Sequence, residues 1–461
     1  MSSNHRARNI LLFLPDQHRP DWLGLNPDLP VRTPNLDRLA REGTCFTRAL
    51  CPSPLCAPSR ASLAAGRDYP HCGVANNDQD YPLDQPTFYG QLREGGYHVL
   101  GVGKFDLHKA SKDHNLQGTA YLSAWGFSDG VDNMGKWDAV NSWDGAPHDA
   151  YMAYLDRHGL AEVHVADMEA RRGKSYAATD PTPLPEHAYC DNWIADNGLR
   201  LLSEAPSDQP WFMQVNFTGP HDPMDITTRM RERWEDVDFP PPCDSSQFDE
   251  ATHSRIRQNY TAMVENIDRH VGRYLEAIEA RGEIDSTLII YSSDHGEMLG
   301  DHDLWAKSTY YQPSVGVPLI IAGPDVATGR TFDGPVTLHD LAATCIDYAG
   351  LPSLEATDSR SLRPVLTGQS GEYRPYVVSG LVTPRRAWHL IYDGRYKLVI
   401  VQGEPPILFD LDEDPWENRN IAREAPSTVA RLQATLEREL RGLGPADCGV
   451  TGCGTCSGCS C

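Results

Sequence analysis

Positive charge is scarce in this chain. Lysine and arginine number 41 against 64 aspartates and glutamates, a formal charge of -23. A broad cationic face for nucleic acid is therefore excluded, and an anionic ligand would need a small pocket of local positive charge. The N-terminal segment MSSNHRARNILLFLPDQ also lacks a long apolar run, since Ile10 to Leu14 is too short for a signal-peptide core or a membrane span. A cytoplasmic protein with no membrane partner is expected. No repeat of solenoid type is present.

Cysteine is unevenly supplied. Seven (Cys45, Cys51, Cys56, Cys72, Cys190, Cys243, Cys345) are spread through the body of the chain, and five crowd the last fourteen residues, CGVTGCGTCSGCSC. Without a secretory signal a disulfide framework is not expected in the body, so each cysteine there reads as a buried apolar residue or a chemical one. Cys453, Cys456 and Cys459 have ligand-like spacing, but their neighbours are nearly all Gly, Ser and Thr. A flexible tail over 446–461 is expected.

What remains is the make-up of a folded protein: 461 residues, 40% hydrophobic, 9% aromatic and 23% charged. Short β-type runs end in polar residues with chemical potential. Ile10 to Leu14 leads into Asp16 and Gln17, His98 to Val102 into Lys104, Phe212 to Phe217 into His221, and Leu288 to Tyr291 into Asp294 and His295. Helical patterns lie between them, the clearest being Ile256, Tyr260, Met263, Ile267, Val271, Leu275 and Ile278. Buried strands alternating with amphipathic helices predict an α/β fold with a mixed, mostly parallel sheet sandwiched by helices. In such sheets ligands bind beyond the carboxyl ends of the strands, so the four strand ends read as one site.

After about residue 370 the segment RAWHLIYDGRYKLVIVQGEPPILFDL alternates like an antiparallel meander, followed by a helix with Val429, Leu432, Leu436 and Leu440 on one side. The expected organisation is a catalytic domain over 1–368, a smaller C-terminal α+β subdomain (antiparallel sheet plus helix) over 369–445, and the tail. The stretch from Ala110 to Glu186 shows weak periodicity and reads as a long irregular cover carrying substrate selection.

Cys56 opens a short helical run, with Pro58 and Ser59 in its first turn. Backbone N–H groups point outward there and favour negative charge. The segment Cys56-Ala57-Pro58-Ser59-Arg60 matches the Cys-x-Pro-Ser-Arg signature of type I sulfatases. Further pieces follow in the order that family has them: TPNLDRLAREG at 33 to 43, GVGKFDLH at 101 to 108, GPHDP at 219 to 223, SSDHGEMLGDHDLWAKSTYY at 292 to 311, and LFDLDEDPWENRNIA at 408 to 422. On these residues the chain resembles the formylglycine-dependent sulfatases of the alkaline phosphatase-like superfamily, in motif style nearest to choline sulfatases, phosphonate monoester hydrolases and iduronate sulfatase-like members.

The resemblance implies that a maturation enzyme converts Cys56 to formylglycine (3-oxoalanine). It implies one divalent metal on Asp16, Asp294, His295 and the modified residue 56, with Ca²⁺ placed ahead of Mn²⁺ and Mg²⁺. Gln17 and His295 stand where many sulfatases have Asp and Asn, which leaves the ion's identity open. Arg60 and Lys104 would neutralise the nucleophile and ester, and His221 and Lys307 would hold the transferring group, one of them protonating the leaving oxygen. Gln17 would face the substrate, as would Asn76, for which a turn role within Asn76-Asn77-Asp78 is the alternative. The family's histidine two residues after the lysine is Asp106 here, so His108 is its expected replacement unless Asp106 takes another role. The expected substrate is a small anionic sulfate ester of a sugar, choline-like or aryl alcohol. The alternatives are a phosphonate monoester or phosphodiester handled at the same site, and a non-catalytic metal- or anion-binding protein with unmodified Cys56. The oligomeric state is left open, a homo-oligomer included.

Overall fold

A computed structural model describes residues 9–112 and 114–441; the cysteine-rich stretch 446–461 lies outside the described residues. The strands, in chain order, are β1 (Asn9–Phe13), β2 (Gly43–Phe46), β3 (Ala49–Leu50), β4 (His98–Gly103), β5 (Asp129–Asp132), β6 (Trp211–Asn216), β7 (Thr287–Tyr291), β8 (Leu319–Ala322), β9 (Arg330–Phe332), β10 (Val336–Thr337), β11 (Val377–Val382), β12 (Ala387–Tyr392), β13 (Tyr396–Val401) and β14 (Ile407–Asp410). Eight of these form one sheet in the order β5-β4-β6-β1-β7-β8-β2-β9. β8 runs antiparallel to both its neighbours and the other pairings are parallel.

The central place of β1 follows from its composition. Ile10 sits opposite Phe212 of β6 on one side and Leu288 of β7 on the other, so the strand is paired on both edges and covered on both faces. Every position can then be apolar. Alternate side chains serve two cores. Leu11 and Phe13 pack with Ile267, Val271 and Ile278 of the helix Glu250–Ala280, while Ile10 and Leu12 face a second core on the opposite side. That helix includes all seven periodic residues of the sequence pattern, and the Asp249 side chain accepts from the Thr252 N–H at its start.

β11 to β14 form the expected antiparallel meander, turning at Gly394 and Gly403, both with positive φ. Leu390, Val399 and Phe409 join the core that also holds Ile10 and Leu12. Ile391, Leu398 and Leu408 face away from it and pack on Leu432 and Leu436 of the helix Pro426–Glu439.

The reading of Ala110 to Glu186 as an irregular cover is corrected. This stretch contains the edge strand β5 and the helices Leu122–Trp125, Gly135–Ser142, Ala150–Arg157 and Ala161–Arg171. Each runs from 4 to 11 residues, too short for helical periodicity to stand out along the sequence. Among the described residues no helix is long and apolar enough to cross a membrane, and the seven cysteines are free.

Candidate active site

In the sheet, β4, β6, β1 and β7 are consecutive neighbours, so the segments leaving their carboxyl ends meet. Lys104 follows β4 directly, and its mounting depends on Gly103. That residue has φ +97, and a Cβ there would lie 1.9 Å from the Asn216 carbonyl oxygen of β6, so only glycine fits. Gln17 takes φ +70, unusual for a residue with a side chain. Its N–H donates to Asp294 Oδ1 at 3.0 Å, and its carbonyl accepts from the Tyr260 hydroxyl at 2.7 Å. These two bonds hold the turn that aims Asp16 and Gln17.

Cys56 begins the helix Cys56–Ala65 and is 1% exposed. Its Sγ lies 3.3 Å from His295 Nε2, 3.9 Å from Asp16 Oδ1 and 3.8 Å from Lys104 Nζ. Burial and the Asp16 carboxylate push this thiol up. Lys104, Lys307 and His295 outweigh them and hold it well below its ordinary value. Asp16, Cys56, Asp294 and His295 each present a ligand atom within 4.8 Å of the others, all buried. His295 Nδ1 donates to the Gly296 carbonyl at 3.0 Å, which fixes the tautomer and leaves Nε2 as a lone-pair donor toward the cluster. Two carboxylates, an imidazole and residue 56 make a donor set that fits a divalent ion.

Cations surround this cluster. Arg60 donates through Nε to Asp294 Oδ2 at 2.9 Å and through a terminal nitrogen to the Lys104 carbonyl at 2.6 Å. Lys104 Nζ meets Asp16 Oδ2 at 2.5 Å. Burial would raise the Asp16 carboxyl, but Lys104, His221, Lys307 and Arg60 together hold it well below the usual carboxylate range. Burial and Lys307 push His221 down, yet Asp222 and Asp16 prevail, and its pKa is raised to about 9. Above the cluster is a cavity of about 200 Å³ lined by Cys56, Asn77, Lys104, Trp137, His221 and Lys307, among others.

Nine of the residues singled out from sequence thus come together: Asp16, Gln17, Cys56, Arg60, Lys104, His221, Asp294, His295 and Lys307. Two do not. The Asn76 side chain accepts from the Asp78 N–H at 2.8 Å, the local turn role, whereas Asn77 accepts from the Ala57 N–H beside Cys56 and lines the cavity. The Asn-Asn pair gave no means of telling the two apart. His108 turns away to Asp132, with Nε2 2.8 Å from Oδ2. Asp106 stays near the site with φ +54, 3.2 Å from Lys104 and 3.0 Å from Lys109.

Other members were missed. Glu297, fully buried, accepts from the Gln17 amide, from the Tyr176 hydroxyl at 2.9 Å, and from the N–H groups of Leu299 and Ala306 at 2.8 and 2.7 Å. Its place in DHGEMLG, three residues after Asp294, was the available signal. Trp137 and Lys109 carried none.

A family model described as Sulfatase matches residues 8–351. The chain belongs to the sulfatase family. Membership makes it an enzyme of the sulfuric ester hydrolase class. A second model, N-sulphoglucosamine sulphohydrolase, C-terminal, matches residues 300–444 of this sulfatase. It is 29% identical to a choline-sulfatase of Rhizobium meliloti over 94% of this chain and 86% of the relative. With a multifunctional alkaline phosphatase superfamily protein of Trinickia caryophylli the identity is 26%, over 94% of each chain. Its fold resembles the crystal structure of a phosphonate monoester hydrolase of Agrobacterium radiobacter with a TM-score of 0.79 and 23% identity, covering 94% of this chain and 95% of that one. The likeness bears out the alkaline phosphatase-like architecture expected from sequence.

Proposed function

We propose that this sulfatase hydrolyses a small or medium-sized sulfate ester, of a sugar, choline-like or aryl alcohol, using formylglycine formed at Cys56 and one divalent metal. The observation that carries the reading is the position of Cys56: a helix N-terminus, against two carboxylates and an imidazole, with lysines on the cavity side. Asp16, Asp294, His295 and residue 56 would hold a divalent ion, which would supply positive charge against the ester oxygens and lower the pKa of a hydroxyl on residue 56. Formylglycine, as its hydrate, would supply one hydroxyl for attack, its proton passing to Asp294 as the bond to the alcohol breaks, and a second whose proton loss would break the C–O bond, release the inorganic anion and restore the aldehyde.

The other steps belong to side chains. Arg60 holds Asp294 and the Lys104 carbonyl through two different nitrogens of its guanidinium. Lys104 and Lys307 place ammonium groups where negative charge gathers on the transferring oxygens. His221, protonated at neutral pH, donates its proton to the leaving alcohol. Asn77 presents a neutral amide on the cavity wall, and Gln17 holds the Lys307 ammonium. Ca²⁺ remains the first choice of ion, with Mn²⁺ and Mg²⁺ next. A cytoplasmic location is supported by the free cysteines, and a formylglycine-generating enzyme is the implied partner.

A phosphonate monoester or phosphodiester hydrolase is the second reading. It is supported by the 26% identity to the multifunctional alkaline phosphatase superfamily protein and by charge, since a phosphodiester presents the same singly negative tetrahedral centre as a sulfate monoester. Parallel assays of an aryl sulfate and an aryl phosphodiester separate the two, and a larger kcat/KM for the diester overturns the first. Mass spectrometry of the Cys56 peptide, with chemical trapping of the aldehyde, tests the enzyme reading itself. An unmodified thiol in natively matured protein leaves only a binding function.

A further inference from the structure

His108 and His114 sit on the loop after β4, and Asp132 ends β5. They are 3%, 3% and 2% exposed. His108 Nε2 lies 2.8 Å and His114 Nδ1 3.3 Å from the same oxygen, Asp132 Oδ2, and one ligand atom from each residue falls within 4.8 Å of the others. The second oxygen, Oδ1, accepts from the Phe105 N–H at 3.2 Å. That bond orients the carboxylate and leaves Oδ2 facing both rings. Among the described residues, Nδ1 of His108 and Nδ1 of His114 are buried without a hydrogen-bonding partner.

We propose that His108, His114 and Asp132 form a second, structural metal site that takes a borderline divalent cation of the Zn²⁺ class. Two imidazoles and one carboxylate suit zinc, with a water completing four-coordination. Tetrahedral zinc, with ligand bonds of about 2.0–2.2 Å, requires neighbouring ligand atoms about 3.3–3.5 Å apart. His114 already meets that spacing from Asp132. His108 has to withdraw by about half an ångström, a small adjustment beside the flexibility of a side chain. Hydrogen bonding engages His108 Nε2 at 2.8 Å and leaves His114 Nδ1 a longer 3.3 Å contact with the same oxygen, whereas an ion would use both nitrogens.

The site clamps the loop that carries Lys104. Phe105, bonded to Asp132, is the next residue after Lys104, and Asn133 donates to the Gly103 carbonyl. A cation joining residues 108 and 114 to β5 therefore fixes the base of the active-site lysine. It shares no ligand with the Asp16 cluster, so it fills whether or not Cys56 is converted.

The test uses full-length, tag-free protein, its accessible thiols alkylated so that the tail cysteines take no ion, stripped of metal and titrated with Zn²⁺ and, separately, Co²⁺. Two equivalents are expected per chain, one giving the strong visible bands of tetrahedral Co²⁺. His114→Gln should lose those bands and one equivalent while the other equivalent is kept, with circular dichroism confirming the fold. Should that variant not fold, His108→Gln is read the same way, and the wild type decides alone. Folded wild-type protein that binds a single equivalent, or shows no tetrahedral bands, overturns the site. So does a folded His114→Gln protein with both equivalents intact.

Discussion

The ammonium group of Lys307 donates to the side-chain oxygen of Gln17 at 2.5 Å, across 290 residues of sequence. The amide nitrogen of the same Gln17 donates to the Glu297 carboxylate, so one side chain is gripped at both ends. Only an amide offers an acceptor to Lys307 and a donor to Glu297. Gln17→Glu replaces the donor with a second buried carboxylate. Stability should fall by about 1–3 kcal/mol, read as a lower urea midpoint, and kcat/KM should drop with it. A midpoint equal to that of the wild type would contradict the arrangement.

Arg60 is 2% exposed and holds Asp294 and the Lys104 carbonyl at once. Lysine cannot reproduce a planar fork with donors in several directions. Arg60→Lys should lower kcat/KM by about 10²–10³-fold, the scale for losing one oriented hydrogen-bond donor in the site. Titrating the variant with a panel of aryl sulfates should show the loss in kcat more than in KM.

His221 carries the leaving-group proton in the proposed reaction, and its Nδ1 is held by the Asp222 carbonyl at 2.7 Å. A good leaving group needs little protonation. His221→Gln should therefore cost about 10²–10⁴-fold with alkyl sulfates and much less with 4-nitrophenyl sulfate. Equal losses across both substrates would remove His221 from that role.

Prolonged treatment with a chelator should abolish turnover, and activity should return with one divalent ion in preference to the others. Restoration by Mn²⁺ and not Ca²⁺ would assign the weight of His295 Nε2 in the donor set.

Acid should weaken the fold through two buried histidines that are not part of the site. Burial, then Lys136 and Arg171, depress His164 to about 4, and burial, then Arg269 and Arg273, depress His270 to about 2. Both are neutral when folded and take up a proton near pH 6.5 when unfolded. Their stabilising effect is thus full above pH 6.5 and is lost as pH falls from there toward 4. Each contributes a slope of up to about 1.4 kcal/mol per pH unit in that window. His164→Gln should flatten the dependence of the urea midpoint on pH between 6.5 and 4.5, and an unchanged slope would refute it.

The sheet and most of the site were legible because strand and chemistry are adjacent in the sequence: Ile10 to Leu14 runs straight into Asp16, and Leu288 to Tyr291 into Asp294. The Cys56 signature needed no fold to be noticed. What sequence could not show is where a side chain turns once its loop is built. His108 has the right residue type two positions late, and its ring goes to Asp132, since Asp106 with φ +54 already occupies the inward turn. Asn76 and Asn77 differ only in facing opposite ways. Trp137 reaches the cavity from a helix of eight residues whose pattern was too brief to detect.

The pairing of β1 has a consequence for how the chain is made. Among the described strands this one is made first, yet its partners Phe212 and Leu288 arrive some two hundred and more residues later. Until then Ile10 to Phe13 is an apolar edge with no mate on either side. Loop-closure entropy delays such distant pairings, and unpaired strands of this kind are open to association with other chains. Nascent chains stopped before Thr287 therefore lack one of the two neighbours of β1 and cannot complete the central sheet.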